Sequence, residues 1–268
     1  MNKYSNISFI KLLKSVIINN NFIGKFYKNK FPNTKYNIEL ILTNIIYVLK
    51  TGIAWRNLNI NPLIKWQTIY FHFNRFVKYG IFKNLFIKLR NRYIKNNNSN
   101  IKLIDSSFVL NKYGRNNVAR NKFFKNKNCN KISALTDVNG IPLSVLVNKG
   151  TVHDIKFFDD HFNDVKFAFT KKSSNGSFYM LADKAYESKK IRDKLNSYGY
   201  HLMITPKKNL KTKYFFNKSI YKKRINVEHT FQRLKAFKRI QIRYDFNVYN
   251  YTNFLYLASS ILIFNKLY

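Results

Sequence analysis

Acidic residues and cysteine are scarce in this chain of 268 residues, and both shortages limit what the protein can be. There are 12 Asp and Glu against 49 Lys and Arg, which gives a formal net charge of +37. Because Cys129 is the single cysteine, the sequence holds neither a disulfide framework nor a zinc cluster. We interpret Cys129 as an incidental thiol in a basic loop.

Long hydrophobic runs are missing as well. The longest apolar run, residues 254–264, is too short to cross a bilayer and contains two serines. The stretch 9–14 is interrupted by lysine and lacks a small-residue cleavage site, so no secretory signal is evident. No hydrophobic anchor accompanies the charge, which argues against a membrane-surface role. We therefore expect a soluble, intracellular protein.

The excess of positive charge favours nucleic acid as the partner, because a polyanion would relieve the self-repulsion of a compact basic fold. An A/T-rich gene would also enrich Lys, Asn, Ile, Phe and Tyr. Asp and Glu codons are themselves fairly A/T-rich, however, so codon bias explains the scarcity of acids poorly. Before Asp105 the only acidic residue is Glu39. This asymmetry predicts a DNA-gripping N-terminal part and a catalytic remainder.

Helical spacing of apolar residues dominates the N-terminal part and predicts four helices, at 7–28, 37–50, 66–78 and 82–95. Gly52 should end the second helix, and Asn61-Pro62 should form a turn before the third. Trp55 and Trp66 are expected to anchor the core. Residues 1–95 are thus interpreted as a small all-helical, helix-turn-helix-like DNA-binding domain, followed by an Asn-rich linker at 96–101.

The pattern changes to strands in residues 102–268. Strands are predicted at 102–109, 131–138, 141–148, 178–183 and 200–205, and helices at 157–162, 188–198, 222–239 and 251–264. Asn139-Gly140 is a strong hairpin signal, and the basic stretch 111–130 reads as an active-site loop that touches DNA. The order of elements matches an α/β, ribonuclease-H-like catalytic domain, a mixed sheet with flanking helices.

Three carboxylates stand out in this domain. Asp105 and Asp183 each follow a short apolar run, and Glu228 lies within a predicted helix. Two strand-end aspartates and a helix-borne glutamate suggest a three-carboxylate site for two-metal phosphoryl transfer. An oxygen-only ligand set suits two Mg²⁺ ions, with Mn²⁺ as a substitute.

Each carboxylate also has an ordinary structural explanation. Asp105 could cap a turn through the serines that follow it, Asp183 could cap a helix, and Glu228 could pair with Arg224. The scarcity of acids favours ligation in all three cases, because a basic protein must gather its carboxylates to hold divalent cations.

The predicted helix carries a stripe of functional residue types. Arg224, Glu228 and Lys235 follow Tyr221 by three, seven and fourteen residues. At 100° per residue, these four residues fall within an arc of about 60° on one face. A carboxylate flanked by an aromatic hydroxyl and two cations suits a metal ligand beside a phosphate backbone.

The spacing Tyr-x2-Arg-x3-Glu-x6-Lys, preceded by Ile-Asp-Ser-Ser and Ala-Asp-Lys-Ala-Tyr, resembles the signature of bacterial DDE-type insertion-sequence transposases. The superfamily joins insertion sequences four and five. The resemblance extends from the segment around Trp55 to the stretch 253–260. Little room for an inserted domain remains between Asp183 and Glu228, which favours the compact insertion-sequence-five type.

The resemblance implies a transposase that binds the terminal inverted repeats of its element, cleaves there and joins the freed ends to target DNA. It would act as a homodimer or larger assembly on double-stranded DNA, in the cytoplasm or nucleoid of a bacterium. It also implies catalytic and metal-binding roles for Asp105, Asp183 and Glu228.

For the residues beside the carboxylates, the resemblance implies phosphate contacts by Arg224 and Lys235, with a solvated helix face as the alternative. Tyr221 could bind a phosphate or only pack, and Lys184 could contact DNA or only be solvated. His153-Asp154 matches a family element that follows the hairpin. Asp154 is interpreted as a helix cap, with a place behind the site's ligands as the alternative.

One position departs from the family pattern, since Ala185 stands where Gly is usual. Ala would strain the turn if the backbone there has a positive φ, and would be harmless if the turn is helical. A catalytically decayed or domesticated DNA-binding protein therefore stays an alternative. A ribonuclease-H-fold nuclease that cuts without strand transfer is the other.

Overall fold

The computed structural model describes residues 3–24, 27, 37–58, 64–169, 177–206 and 215–268. The expected turn at Asn61-Pro62 lies outside these residues. Contacts divide the chain into two compact units, one formed by residues 1–92, 112–116 and 234–268 and the other by 93–111 and 117–233. The functional division into 1–95, 96–101 and 102–268 stays a prediction.

In chain order, the helices are α1 (Lys3–Ile18), α2 (Ile38–Thr51), α3 (Trp66–Lys78), α4 (Ile81–Asn97), α5 (Phe157–Asp164), α6 (Lys189–Ser197), α7 (Lys218–Tyr221), α8 (Ile225–Lys235), α9 (Lys238–Gln241) and α10 (Val248–Leu267). The strands are β1 (Ile101–Asn111), β2 (Ala119–Asn121), β3 (Lys127–Asp137), β4 (Pro142–Lys149), β5 (Phe178–Leu181), β6 (Tyr200–Met203) and β7 (Ile242–Arg243).

The helical unit is organised by local signals and by aromatic packing. The Asn37 side chain accepts a hydrogen bond from the Glu39 amide and begins α2, and Gly52 ends that helix at φ 69°, as predicted. Trp55 is half-buried, and its ring packs 5.2 Å from that of Phe73 and 6.0 Å from that of Phe254, two residues of the core. No helix in the described part of the chain is long and apolar enough to cross a membrane.

The second unit is built on a mixed sheet. Strand β1 lies between β3, which is antiparallel to it, and β5, which is parallel to it. Strand β3 pairs antiparallel with β4 and, nearer its start, with β2, while β6 runs parallel to β5. Helix α6 makes the crossover that a parallel β5–β6 pair requires. This order of strands and flanking helices is ribonuclease-H-like, which confirms the predicted fold class.

Several elements differ from the sequence prediction. The helix predicted at 7–28 ends at Ile18, and the strand predicted at 178–183 ends at Leu181, before Asp183. Strand β1 continues to Asn111, so Asp105 lies inside the strand and not at its end. The stretch 111–130 contains β2 and the start of β3, where Cys129 is buried. The helix predicted at 222–239 is divided into a 3₁₀ turn at Lys222–Arg224, α8 and α9. Contacts to neighbouring strands hold this segment, and helical periodicity does not report such contacts.

Candidate active site

Asp105 lies within β1, and Asp183 lies two residues beyond the end of β5, the adjacent parallel strand. Leu103 of β1 is in register with Leu181 of β5, and each aspartate lies two residues further along its chain. Their charges interact, since Asp183 contributes to raising the pKa of Asp105.

Arg224 joins the first aspartate to the glutamate. Its Nη1 donates to Asp105 Oδ2 at 2.7 Å, and its Nη2 donates to Glu228 Oε1 at 2.6 Å. The side chains of Asp105 and Arg224 are 19% and 21% exposed, whereas Glu228 is 42% exposed. The guanidinium therefore holds the carboxylates of β1 and α8 around one positive charge.

Burial sets the electrostatics of this pair. It raises the pKa of Asp105, and the hydrogen bonds from the Ser106 amide and from Arg224 work against that rise. Burial also opposes the charge of Arg224, but the carboxylates of Asp105 and Glu228 prevail and raise the pKa of the guanidinium above its ordinary value. The neighbouring carboxylates thus stabilise the ionised form of Arg224 although the side chain is partly buried.

Tyr221 holds the start of the helical segment against β5. Its hydroxyl donates to the backbone carbonyl of Ala182 at 3.1 Å, directly before Asp183. With Arg224 bound to β1, the 3₁₀ turn and the residue before it are anchored to β1 and to the residue that follows β5. The sequence left open whether Tyr221 binds a phosphate or packs, and the hydroxyl is engaged with the protein here.

Asp183 serves as the cap that the sequence offered as an alternative to metal ligation. Its carboxylate accepts a 2.6 Å hydrogen bond from the Lys184 amide and begins a 3₁₀ turn at Lys184–Tyr186. Ala185 lies inside this helical turn and is not among the residues with a positive φ. The backbone strain considered for Ala185 therefore does not arise, and capping leaves other oxygen lone pairs of Asp183 available.

Asp154 lies beside the predicted ligands. Its Oδ1 accepts from the Ser106 hydroxyl, at 2.5 Å, and from Lys131 Nζ, at 2.9 Å. Lys131 also donates to the carbonyl of Val152 at 2.9 Å. Asp154 thus fixes the residue that follows Asp105, and it does so from the start of a short 3₁₀ helix at Asp154–Lys156.

A buried pair that sequence reasoning missed supports β1 from behind. The Ser133 hydroxyl donates to the Asp105 carbonyl at 3.2 Å, and it therefore accepts its 2.8 Å bond from His161 Nε2–H. Burial lowers the pKa of His161 to about 3, which keeps the imidazole neutral. The signal was present, because His161 follows Phe157 by four residues on the apolar stripe of α5.

The remaining predicted residues are less closely tied to the carboxylates. Lys184 and His153 are exposed, and Lys235 is half-buried at the last position of α8, where burial lowers its pKa. Within the described ranges, no three His, Cys, Asp or Glu side chains are grouped closely enough to hold a metal ion. Arg224 takes the space between Asp105 and Glu228.

Comparisons with known proteins agree on one family. A family model described as the transposase DDE domain matches residues 96–263. A second model, described as a transposase of the IS4/5 family, matches residues 27–86. No curated protein matches the sequence significantly.

Among solved structures, the catalytic domain of Mos1 mariner transposase is 11% identical and covers 59% of this chain and 89% of its own, with a TM-score of 0.29. The Mos1 mariner paired-end complex with Mn is 12% identical over 78% of both chains, also at 0.29. The Mos1 strand transfer complex is 12% identical over 80% of this chain and 81% of its own, at 0.27. Likeness at this level carries no argument about the site.

Proposed function

The chain belongs to the DDE transposase family, in its IS4/5 branch, and from that premise we propose that it cleaves DNA at the ends of its own mobile element and joins those ends to target DNA. The DDE family model covers more than half of the chain and includes every predicted site residue. The inverted-repeat recognition and the joining step belong to the proposal.

One structural relationship carries the proposal. Arg224 contacts Asp105 and Glu228 at once, and the charge of Asp183, two residues beyond the end of β5, acts on Asp105. Two carboxylates from separate elements thus share one cation, and the charge of a third acts on the first, in a chain that has 12 acidic residues in all. Gathering so much negative charge in a basic protein is costly unless cations are held there.

The residues fit a divalent metal by their chemistry. Carboxylate oxygens are the ligands that Mg²⁺ and Mn²⁺ prefer, and the space between Asp105 and Glu228 already accommodates a cationic group. We assign Asp105, Asp183 and Glu228 as the metal-holding residues. When bound, the metal would activate the attacking hydroxyl and stabilise the leaving oxygen of an in-line displacement.

The neighbouring residues would organise the DNA strand. Arg224 has a planar, fork-shaped donor that binds a phosphate as readily as a carboxylate, so its guanidinium can transfer from Asp105 to the scissile strand. Lys184 and Lys235 would neutralise nearby phosphates. Tyr221 would hold α8 to the strand that carries Asp183. His153 and Asp154 would support the site from behind, through the bond of Asp154 to Ser106.

The basic N-terminal helices would bind the inverted repeats, as a homodimer or larger assembly that holds both ends of the element. Residues 27–86, which match the IS4/5 model, lie in this part. Residues 1–104 contain one acidic residue, Glu39, so the segment offers phosphates little repulsion. We propose that the protein works inside the cell, on DNA, with Mg²⁺ as its metal.

The proposal is tested with a labelled duplex that carries the element's own end, incubated with Mg²⁺, Mn²⁺ or EDTA. Cleavage should require the metal and should disappear in Asp105→Asn, Asp183→Asn and Glu228→Gln. Asp193→Asn, an exposed acid on α6, is the matched control and should cleave as wild type does. Cuts that persist in all three site variants would overturn the assigned ligands.

The alternative functions give different results in the same assay. DNA binding without cleavage by the wild type would favour a decayed or domesticated binding protein. Cleavage without joined products, when a target duplex is added, would favour a nuclease. The helical conformation at Ala185 removes the strain that had favoured the decayed protein.

A further inference from the structure

The face of α8 that lies away from Glu228 is fastened to a β-turn. Thr230 Oγ1 donates to the carbonyl of Gly140 at 2.6 Å, and Arg233 Nη2 donates to the same oxygen at 2.5 Å. One turn earlier, Asn226 Nδ2 donates to the carbonyl of Val138 at 2.7 Å. Three side chains of one helix therefore bind two carbonyls of the turn that joins β3 to β4.

The turn itself is rigidly shaped. The carboxylate of Asp137, which is buried, accepts from the amides of Asn139 at 3.0 Å and Ile141 at 2.8 Å. The Tyr93 hydroxyl donates to its other oxygen at 2.7 Å. Four polar groups thus fix the five residues of the turn, and the carbonyls that face α8 cannot drift independently of the sheet.

Glycine is required at the centre of this contact. Gly140 has a φ of 69°, a conformation that residues with a side chain rarely adopt. A Cβ atom there would also collide with the Asn226 carbonyl and lie 2.7 Å from Thr230 Oγ1 and 2.8 Å from Arg233 Nη2. The backbone of the turn therefore approaches α8 more closely than any other residue type would allow.

The contact between α8 and the β3–β4 turn affects the position of Glu228, which lies on the opposite face of the helix. Thr230 follows Glu228 by two positions, which is about 200° around a helix. Asn226 precedes Glu228 by the same interval. Fastening both positions fixes the rotation of α8 about its axis and its position relative to the β3–β4 turn. Those two quantities decide where Glu228 stands relative to Asp105.

We propose that the β3–β4 turn is the positioning element of the active site, and that Thr230 and Arg233 are positioning residues for Glu228. The inference rests on the proposed function, in which Glu228 holds metal opposite Asp105. A helix free to rotate would leave Glu228 outside reach of the cation that Asp105 binds. Displacement of a reacting group by about 1 Å is enough to cost two orders of magnitude in rate.

The test compares near-isosteric variants of one buried side chain. Thr230→Val keeps the shape and removes the hydroxyl, whereas Thr230→Ser keeps the hydroxyl. Mn²⁺ binding by the DNA-free protein, followed by electron paramagnetic resonance, is the first measurement. We expect Thr230→Val to bind Mn²⁺ about tenfold more weakly, which corresponds to one hydrogen bond, and Thr230→Ser to bind nearly as wild type does. On DNA, kcat should fall in Thr230→Val while KM is unchanged.

A pair of glycine substitutions separates collision from backbone strain. Gly140→Ala introduces both a collision and backbone strain. Gly80→Ala introduces strain alone, because its φ is 65° and no atom lies within 4 Å of the added Cβ. Weaker Mn²⁺ binding in Gly140→Ala but not in Gly80→Ala is expected. Wild-type Mn²⁺ affinity and kcat in both Thr230→Val and Gly140→Ala would overturn the inference.

Amide hydrogen exchange over residues 222–229 distinguishes a failure of the positioning role from a failure of the proposed function. Exchange should be faster in Thr230→Val than in Thr230→Ser, whether or not metal binds. If the wild type neither binds Mn²⁺ nor cleaves DNA, the proposed function fails, and the exchange rates still decide whether the turn holds the helix. Equal exchange in the two variants would refute the positioning role.

Discussion

Arg224 reaches across 119 residues of chain to hydrogen-bond Asp105 at 2.7 Å, and this contact places a cation where the proposed chemistry needs one. The same guanidinium binds Glu228 one turn further along the chain. The metal-free protein therefore carries its own counter-ion between two carboxylates. A divalent metal and the arginine would compete for the same oxygens.

Replacing this arginine should strengthen metal binding while it weakens catalysis. In Arg224→Gln, Mn²⁺ no longer competes with a guanidinium or meets its positive charge, so the affinity of the DNA-free protein should rise about tenfold. Calorimetric titration measures this change, and Lys223→Gln, which removes an exposed charge next to it, is the control. Weaker Mn²⁺ binding in Arg224→Gln would show that the arginine organises the ligands and does not compete.

Removing the charge of Asp154 should destabilise the fold through Lys131. The Lys131 side chain is 9% exposed, and Asp154→Asn leaves its ammonium without a counter-ion. A buried pair broken at one partner typically costs about 3 kcal/mol of unfolding free energy. Denaturant unfolding should recover part of this loss in the double variant Lys131→Met/Asp154→Asn. A double variant less stable than Asp154→Asn would contradict the explanation.

Acid should destabilise the protein through His161. The pKa of His161 is about 3 in the folded chain against an ordinary value of 6.5. Between pH 3 and pH 6.5 the unfolded chain therefore binds a proton at this residue, whereas the folded chain does not. Stability is complete above pH 6.5 and falls as the pH drops, by about 2 kcal/mol at pH 5 for one such group. The nearby Asp164 favours the charged form, but burial prevails.

The matched variant is His161→Gln, which keeps an amide donor for Ser133 and does not titrate. Its unfolding free energy should fall less than that of the wild type between pH 7.5 and pH 5. Identical pH profiles for the two proteins would assign the acid sensitivity to other groups.

Phe123 should contribute to DNA affinity and hardly at all to folding. It is 93% exposed, in a short turn between Lys122 and Lys125 that precedes β3. An aromatic ring among cations can stack on a base, which is worth about 1–3 kcal/mol. Phe123→Ala should therefore weaken binding to element-end DNA about tenfold at fixed salt, with an unchanged unfolding transition. Phe123→Tyr is the control and should retain affinity.

The buried Arg239–Asp245 pair should stabilise the helical unit. The two side chains are 4% and 3% exposed and meet at 2.8 Å. Asp245→Asn leaves the guanidinium with no charged partner among the residues that the structure describes, at a cost of about 3 kcal/mol in unfolding free energy. Thermal unfolding measures it, and Asp160→Asn, an exposed acid, should change the midpoint little. An unchanged midpoint in Asp245→Asn would show that the pair does not support this unit.

Much of the fold followed from local signals in the sequence. The periodicity predicted α3 at 66–78, where it is found. Gly52 ends α2, and Asn139-Gly140 turns the β3–β4 hairpin. Each of these features depends on residues that are neighbours in the chain, and backbone propensity decides them.

The details that the sequence did not reveal depend on distant residues. Asp105 was expected near a strand end because it follows a short apolar run, but pairing with β3 continues the strand to Asn111. The 3₁₀ turn before α8 is held by contacts to β1 and to the residue that follows β5. The helical periodicity of the sequence does not reveal such contacts. The support of Asp105 by Ser133 and His161 joins single residues of three elements, so the sequence shows His161 on an apolar helix stripe but not what it contacts.

The separation of Asp105 from Glu228 along the chain has a consequence during protein synthesis. Residues that precede α8 supply the basic helices and two of the three carboxylates, and the third arrives only with α8. A product terminated before residue 225 would keep most of its positive charge and lack a complete cutting centre. Such a fragment would also lack residues 234–268, which complete the helical unit, so both that unit and the proposed cutting centre depend on the last part of the chain to be synthesised.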